Sequence, residues 1–105
     1  MKLGIEWTDD ALACLLRIYC FYADELVLPD VADKAVKAIH NSADILENTP
    51  EAGRPAEDLE PEQRELFVKF GDSGFACVYE VWKEQGFVLI LAVKRQKDPG
   101  YVIPW

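Results

Sequence analysis

Seven consecutive residues near the C-terminus, FVLILAV (Phe87 to Val93), carry no polar side chain. A strand with one wet face alternates apolar and polar residues; this one does not. It therefore belongs in the interior of a sheet, covered on both sides or close to a partner. It is far too short to span a bilayer. Three cations follow at once, Lys94, Arg95 and Lys97, and then a Pro-Gly turn and Tyr101.

The flanking segments say what kind of sheet this is. KLGIEW places Leu3, Ile5 and Trp7 on one face, the alternation of a short strand. Thr8 is positioned to cap a helix, with Asp9 and Asp10 favouring its dipole. Leu12, Leu15, Leu16, Tyr19, Tyr22 and Leu26 then recur at helical spacing, so the first helix is expected to run to about Glu25 and to bury that stripe. A second helix starts at Pro29-Asp30 and ends at Thr49-Pro50. Its stripe is Ala32, Ala35, Val36, Ile39, Ala43 and Leu46, much of it small enough for close approach. The short LVLPD link makes the pair an antiparallel hairpin. An acidic loop covers Glu51 to Glu65. Strands are expected at Glu65 to Phe70 and Phe75 to Trp82, each followed by a tight turn, before Phe87 to Val93.

The order β-α-α-β-β-β over residues 1–105 predicts one α+β domain. An N-terminal strand and an antiparallel helical hairpin pack on one face of a mainly antiparallel, three- to four-stranded sheet. The other face is then lightly covered, and Phe67, Phe75, Trp82 and Phe87 are expected to make it a docking surface.

Charge narrows the partners. The chain has 19 acidic and 11 basic residues, a net −8. Residues 1–65 hold 15 acids and 6 bases, and the remainder 4 and 5. Such a surface opposes nonspecific binding to nucleic acid and attracts basic segments of other proteins. MKLGIEW lacks the apolar core of a signal peptide, so a cytoplasmic protein without membrane contact is expected. Three cysteines, Cys14, Cys20 and Cys77, form neither a disulfide framework nor a metal set, and His40 is read as a helix surface residue. No metal or cofactor is expected.

Four segments together resemble the RelE/ParE toxin superfamily of bacterial type II toxin–antitoxin systems. They are EWTDDALACLLRIYCFYADE, AVKAIHNSADILENTPEAGRP, RELFVKFGDSGFACVYEV and VLILAVKRQKDPGY. The resemblance implies the fold derived above and a growth-inhibiting toxin. It also implies a cognate antitoxin that wraps the toxin in a hetero-oligomer. RelE-like members cut messenger RNA on the ribosome; ParE-like members inhibit DNA gyrase and are not nucleases. The RelE-like alternative would assign catalysis to Lys69, Arg95 and Tyr101, which match family positions. The family arginine after the SGY motif, however, falls on Ala76, and the tyrosine of that motif on Phe75. A methyl group cannot stabilise phosphate charge. The ParE-like branch is therefore expected, with DNA gyrase as partner and no direct nucleic-acid binding. Lys94, Arg95, Lys97, Tyr101 and Trp105 become candidate partner-binding residues, against the plainer reading that cations at a strand end block edge pairing. A non-toxic, antitoxin-binding relative is the third alternative.

Overall fold

The computed structural model describes residues 2–55, 59–98 and 100–101. Trp105 lies outside them.

Strand β1 (Gly4–Trp7) leads into helix α1 (Asp9–Cys20), which passes into a π-helical turn, Phe21–Glu25. Helix α2 is Pro29–Asp44, extended by a 3-10 turn, Ile45–Glu47. Strands β2 (Gln63–Phe70), β3 (Ser73–Trp82) and β4 (Phe87–Arg95) follow as a meander. The sheet order is β1-β4-β3-β2. β4 is thus interior, as its unbroken apolar run requires. It pairs antiparallel with β3 and parallel with β1. The helical hairpin covers one face, so the expected α+β architecture is observed, with four strands in a mixed sheet.

Local chemistry explains the elements. Thr8 Oγ1 accepts from the Ala11 amide at 3.0 Å and donates to the β4 carbonyls of Ile90 and Leu91, joining the start of α1 to the central strand. Proline in the first turn of α2 occupies a position whose amide needs no helical partner. Ala32, Ala35, Ile39, Ala43 and Leu46 are fully buried, as the small-residue stripe predicts.

The expected stripe of α1 is corrected. Ala11, Cys14, Leu15 and Ile18 are buried, whereas Leu12 is 48% and Leu16 63% exposed. Leu26 is exposed as well. Two apolar rows run along this helix. The row containing Ala11 and Cys14 wins the sheet-facing position because small side chains let α1 lie close on β4.

Phe75 is also corrected. It sits in the core against Tyr22 and Phe70, not on the open face. It stands seven residues from Trp82 on one strand, and period-2 alternation puts odd separations on opposite faces. Phe67 and Trp82 are exposed on the open face, with Phe87 stacked on Trp82 at 5.9 Å between ring centroids.

The loop before β2 is pinned from within. The buried Tyr79 hydroxyl donates to the Pro50 carbonyl at 2.7 Å and accepts from the Gly53 amide at 2.8 Å. A Cβ on Gly53 would stand 2.6 Å from that hydroxyl, so glycine is needed there. Arg54 then exchanges two backbone hydrogen bonds with Glu65 on the outer edge of β2.

Candidate functional site

The end of β4 gathers the cations named from the sequence, and one irregularity decides where they point. β3 and β4 pair Tyr79 with Ile90 but Val78 with Ala92, leaving Leu91 as a bulge. Before it, Phe87 and Leu89 share the open face. After it the parity reverses: Lys94 lies opposite Ala76, on the open face, and Arg95 lies opposite Phe75, on the helix face. Without that bulge the two would be exchanged.

Arg95 is fully engaged on its side. Its guanidinium donates to Asp98 through Nη2 at 2.9 Å and Nε at 3.3 Å, and its backbone amide donates to the same carboxylate at 3.3 Å. The group lies 4.0 Å over the Phe21 ring. The hydrogen bond and charge of Arg95 hold the Asp98 carboxyl below the usual carboxylate range, and Asp98 raises Arg95 in return. Between Arg95, the end of α1 and the π-helical turn lies a groove of about 490 Å³.

On the open face, the Tyr101 hydroxyl donates to Glu65 Oε2 at 2.5 Å. The Lys94 ammonium stands 5.4 Å from the Tyr101 ring centroid and donates to the Asp98 carbonyl at 3.0 Å. Glu65 also lies 4.0 Å from Arg54, whose guanidinium covers Phe67 at 4.6 Å. Lys69 is exposed, two residues from Phe67 and hence on the same face. Ala76, fully buried, lies between Phe67 of β2 and Lys94 of β4 in the register. The Gln96 amide donates to the Gly74 carbonyl at 2.8 Å, carrying the chain past β3 towards Tyr101.

The trio Lys69, Arg95 and Tyr101 is therefore split: Lys69 and Tyr101 share the open face, and Arg95 faces the helices. Lys94 joins Tyr101, and Lys97 is exposed. Two carboxylates not singled out from the sequence, Glu65 and Asp98, neutralise the ensemble. The i, i+3 spacing of Arg95 and Asp98 was a readable signal; the contact of Glu65 with Tyr101, 36 residues away, was not. His40 is exposed and packs on Trp7 at 4.9 Å. The cysteines are free, and among the described residues no three His, Cys, Asp or Glu side chains form a metal-ligand cluster. Among those residues, too, no helix is long and apolar enough to cross a membrane.

Comparison with known proteins places this geometry. The family model of the ParE toxin of type II toxin–antitoxin systems, parDE, matches residues 5–99. A chain from the chromosomal ParDE toxin–antitoxin system of P. aeruginosa is 30% identical, with a TM-score of 0.75, covering 90% of this chain and 96% of that one. A doubly substituted E. coli RelE toxin in the free state superposes with a TM-score of 0.66 at 15% identity, covering 92% and 86%. The RelBE2 toxin–antitoxin complex of Mycobacterium tuberculosis gives 0.66 at 19% identity, covering 93% and 95%. At these last two identities the likeness is one of fold. No curated relative matches by sequence.

Proposed function

The chain belongs to the ParE toxin family of type II toxin–antitoxin systems, and from that premise we propose that it stops growth by binding DNA gyrase and is neutralised by a cognate antitoxin. One observation carries the choice of branch. The Tyr101 hydroxyl is given to the Glu65 carboxylate, while Arg95 is turned to the other face and clamped by Asp98. A phosphate brought to Tyr101 would meet a carboxylate, and Arg54 on that face is already paired with the same Glu65 and laid over Phe67; Ala76 occupies the register position between Phe67 and Lys94. General acid–base cleavage of RNA needs cations converging on the phosphate. This arrangement favours protein contact by Lys94, Arg95, Lys97 and Tyr101 over nucleic-acid chemistry.

An antitoxin also suits the uncovered apolar surface. Exposed Phe67 and the Trp82–Phe87 stack occupy the face opposite the helices. A partner element laid there would complete the sheet's second layer in a toxin–antitoxin hetero-oligomer. Its binding should survive high salt, because the contact is mainly apolar.

The direct test is a supercoiling assay with purified gyrase and folded toxin. Loss of supercoiling at micromolar toxin is expected. Unchanged supercoiling removes gyrase as the target. A second reading, RelE-like cleavage of messenger RNA, draws on Lys69, Lys94 and Tyr101 sharing one face. New codon-spaced 5′ ends in primer extension, abolished by Lys94→Ala and Tyr101→Phe, would establish that reading instead. Undiminished colony formation without antitoxin would indicate the non-toxic relative.

A further inference from the structure

The bulge at Leu91 is held by one side chain. Successive carbonyls of a regular strand point to opposite edges. At the bulge, those of Ile90 and Leu91 both reach Thr8. The Thr8 amide donates to the Ile90 carbonyl at 3.1 Å, and its hydroxyl lies 3.2 Å from each of the two oxygens. β1 ends at Trp7, which pairs with Ile90, so β1 offers no further amide to meet Leu91. Without the hydroxyl, the Leu91 carbonyl at the start of α1 loses that donor, and a carbonyl left unpaired away from water is costly.

Thr8 does more here than cap a helix. Capping α1 needs only an acceptor, which Thr8 Oγ1 supplies to the Ala11 amide at 3.0 Å; serine, asparagine or aspartate would serve as well. The hydroxyl proton is left over. The two carbonyls within its reach belong to the extra residue and to the residue before it. The sequence of β4 does not fix where that extra residue sits. From Phe87 to Val93 both faces are apolar, so a one-residue slip brings no polar side chain to the wrong side. Before the bulge, β4 is held in register by β1. After it, Gln96 is tied to Gly74 and Phe75. The two halves differ by one residue, and Thr8 stands at their junction.

We infer that Thr8 is a positioning residue: by holding the bulge at Leu91 it sets Lys94 on the open sheet face and Arg95 on the helix face. A bulge disrupts the ladder, so without its support regular pairing is favoured. β4 then continues in the register it keeps with β3 up to Tyr79 and Ile90. Val78 meets Leu91, Ala76 meets Val93, and Phe75 meets Lys94. The Gln96 bonds oppose this slip; the regained ladder and the Leu91 carbonyl favour it. Lys94 leaves the Tyr101 ring for the helix side, and Arg95 leaves Phe21 for the open face. The composition of the partner-contact surface thus depends on a residue outside it. That Lys94 meets a partner rests on the function proposed above; the placement of Lys94 and Arg95 does not.

The test is NMR on the isotope-labelled full chain with three substitutions. Thr8→Ser keeps both the acceptor and the proton, Thr8→Asp keeps the acceptor alone, and Thr8→Val keeps neither. In the unsubstituted protein and in Thr8→Ser, nuclear Overhauser contacts should join Ala76 to Lys94 across the strands, Arg95 to the Phe21 ring, and Lys94 to the Tyr101 ring. In Thr8→Asp and Thr8→Val all three should be lost, with Ala76 now facing Val93. A threonine that only caps the helix gives a different pattern, in which Thr8→Asp matches the unsubstituted protein. Retention of the three contacts in Thr8→Asp or in folded Thr8→Val overturns the proposal, and so does their loss in Thr8→Ser. Where circular dichroism shows Thr8→Val unfolded, Thr8→Asp decides. One reading needs no variant: the Thr8 hydroxyl proton should be observable and slow to exchange with water, and rapid exchange overturns the proposal. Gyrase inhibition is not among these readouts, so the two proposals fail separately.

Discussion

Arg95 and Tyr101, six residues apart on one short segment, lie on opposite faces of the sheet. Arg95 is held over Phe21 by Asp98, and Tyr101 is held on Glu65. The segment between them crosses the end of β3, tied there by Gln96 to Gly74 and Phe75. The two anchors are thus independent fastenings of one strap and not members of one site.

This independence is measurable. A double-mutant cycle in urea on Tyr101→Phe and Glu65→Gln should give a coupling of about 1.5–3 kcal/mol, as for a hydrogen bond to a charged group. Tyr101→Phe combined with Arg95→Ala should be additive within about 0.5 kcal/mol. Strong coupling between Arg95 and Tyr101 would mean that they converge after all.

Tyr79 fastens the loop before β2 from inside the protein. Tyr79→Phe leaves the Gly53 amide and the Pro50 carbonyl without their partner, and should cost about 1–3 kcal/mol. Gly53→Ala should cost as much or more, since its methyl collides with the Tyr79 ring and with the Glu65 carbonyl. Chemical denaturation reads both. A loss below half a kcal/mol in each would show that the loop does not depend on this contact.

Much of this architecture is legible in the chain, and the failures have one cause. The central placement of β4 follows from FVLILAV, the α1 cap from Thr8, and the α2 core face from alanines at helical spacing. In α1, by contrast, Leu12 and Leu16 form a row as regular as Ala11, Cys14, Leu15 and Ile18. Periodicity alone cannot choose between two apolar rows on one helix. The same ambiguity hides the bulge at Leu91. In a strand apolar on both faces, a one-residue slip changes no visible pattern. Yet that slip decides which of Lys94 and Arg95 faces the helices, and with it the composition of the candidate site.

The cysteines should differ in reactivity. Burial pushes the Cys77 thiol up to about 12, and Cys14 is buried in the same core. Cys20 is partly exposed; desolvation and the neighbouring Asp24 raise its pKa as well. A thiol reagent at pH 8 should therefore label Cys20 alone in the folded protein, slowly, and all three after unfolding. Rapid labelling of Cys77 in the folded state would mean that α1 opens from the sheet.

The Arg95–Asp98 pair carries a pH signature of known sign. Its folded carboxyl titrates below the ordinary value, so its contribution is present above about pH 4 and is lost as pH falls through the folded pKa. Both side chains are about one-third exposed, at 35% and 34%, so the effect on global stability is small. Carbon NMR of the Asp98 carboxyl should give a depressed midpoint in the native protein. Arg95→Gln should return it towards the usual aspartate value. A midpoint unmoved by that substitution would assign the depression to another group.

Val27 sets backbone strain against side-chain packing. Its left-handed backbone costs a β-branched residue about 1–2 kcal/mol that glycine does not bear, partly offset by the greater freedom of glycine in the unfolded chain. The side chain returns little packing, being mostly exposed. Val27→Gly should therefore raise stability, by about 1 kcal/mol in urea denaturation. A variant that is less stable would show that the turn owes its shape to the valine side chain and not to the hydrogen bonds of Leu26 and Leu28.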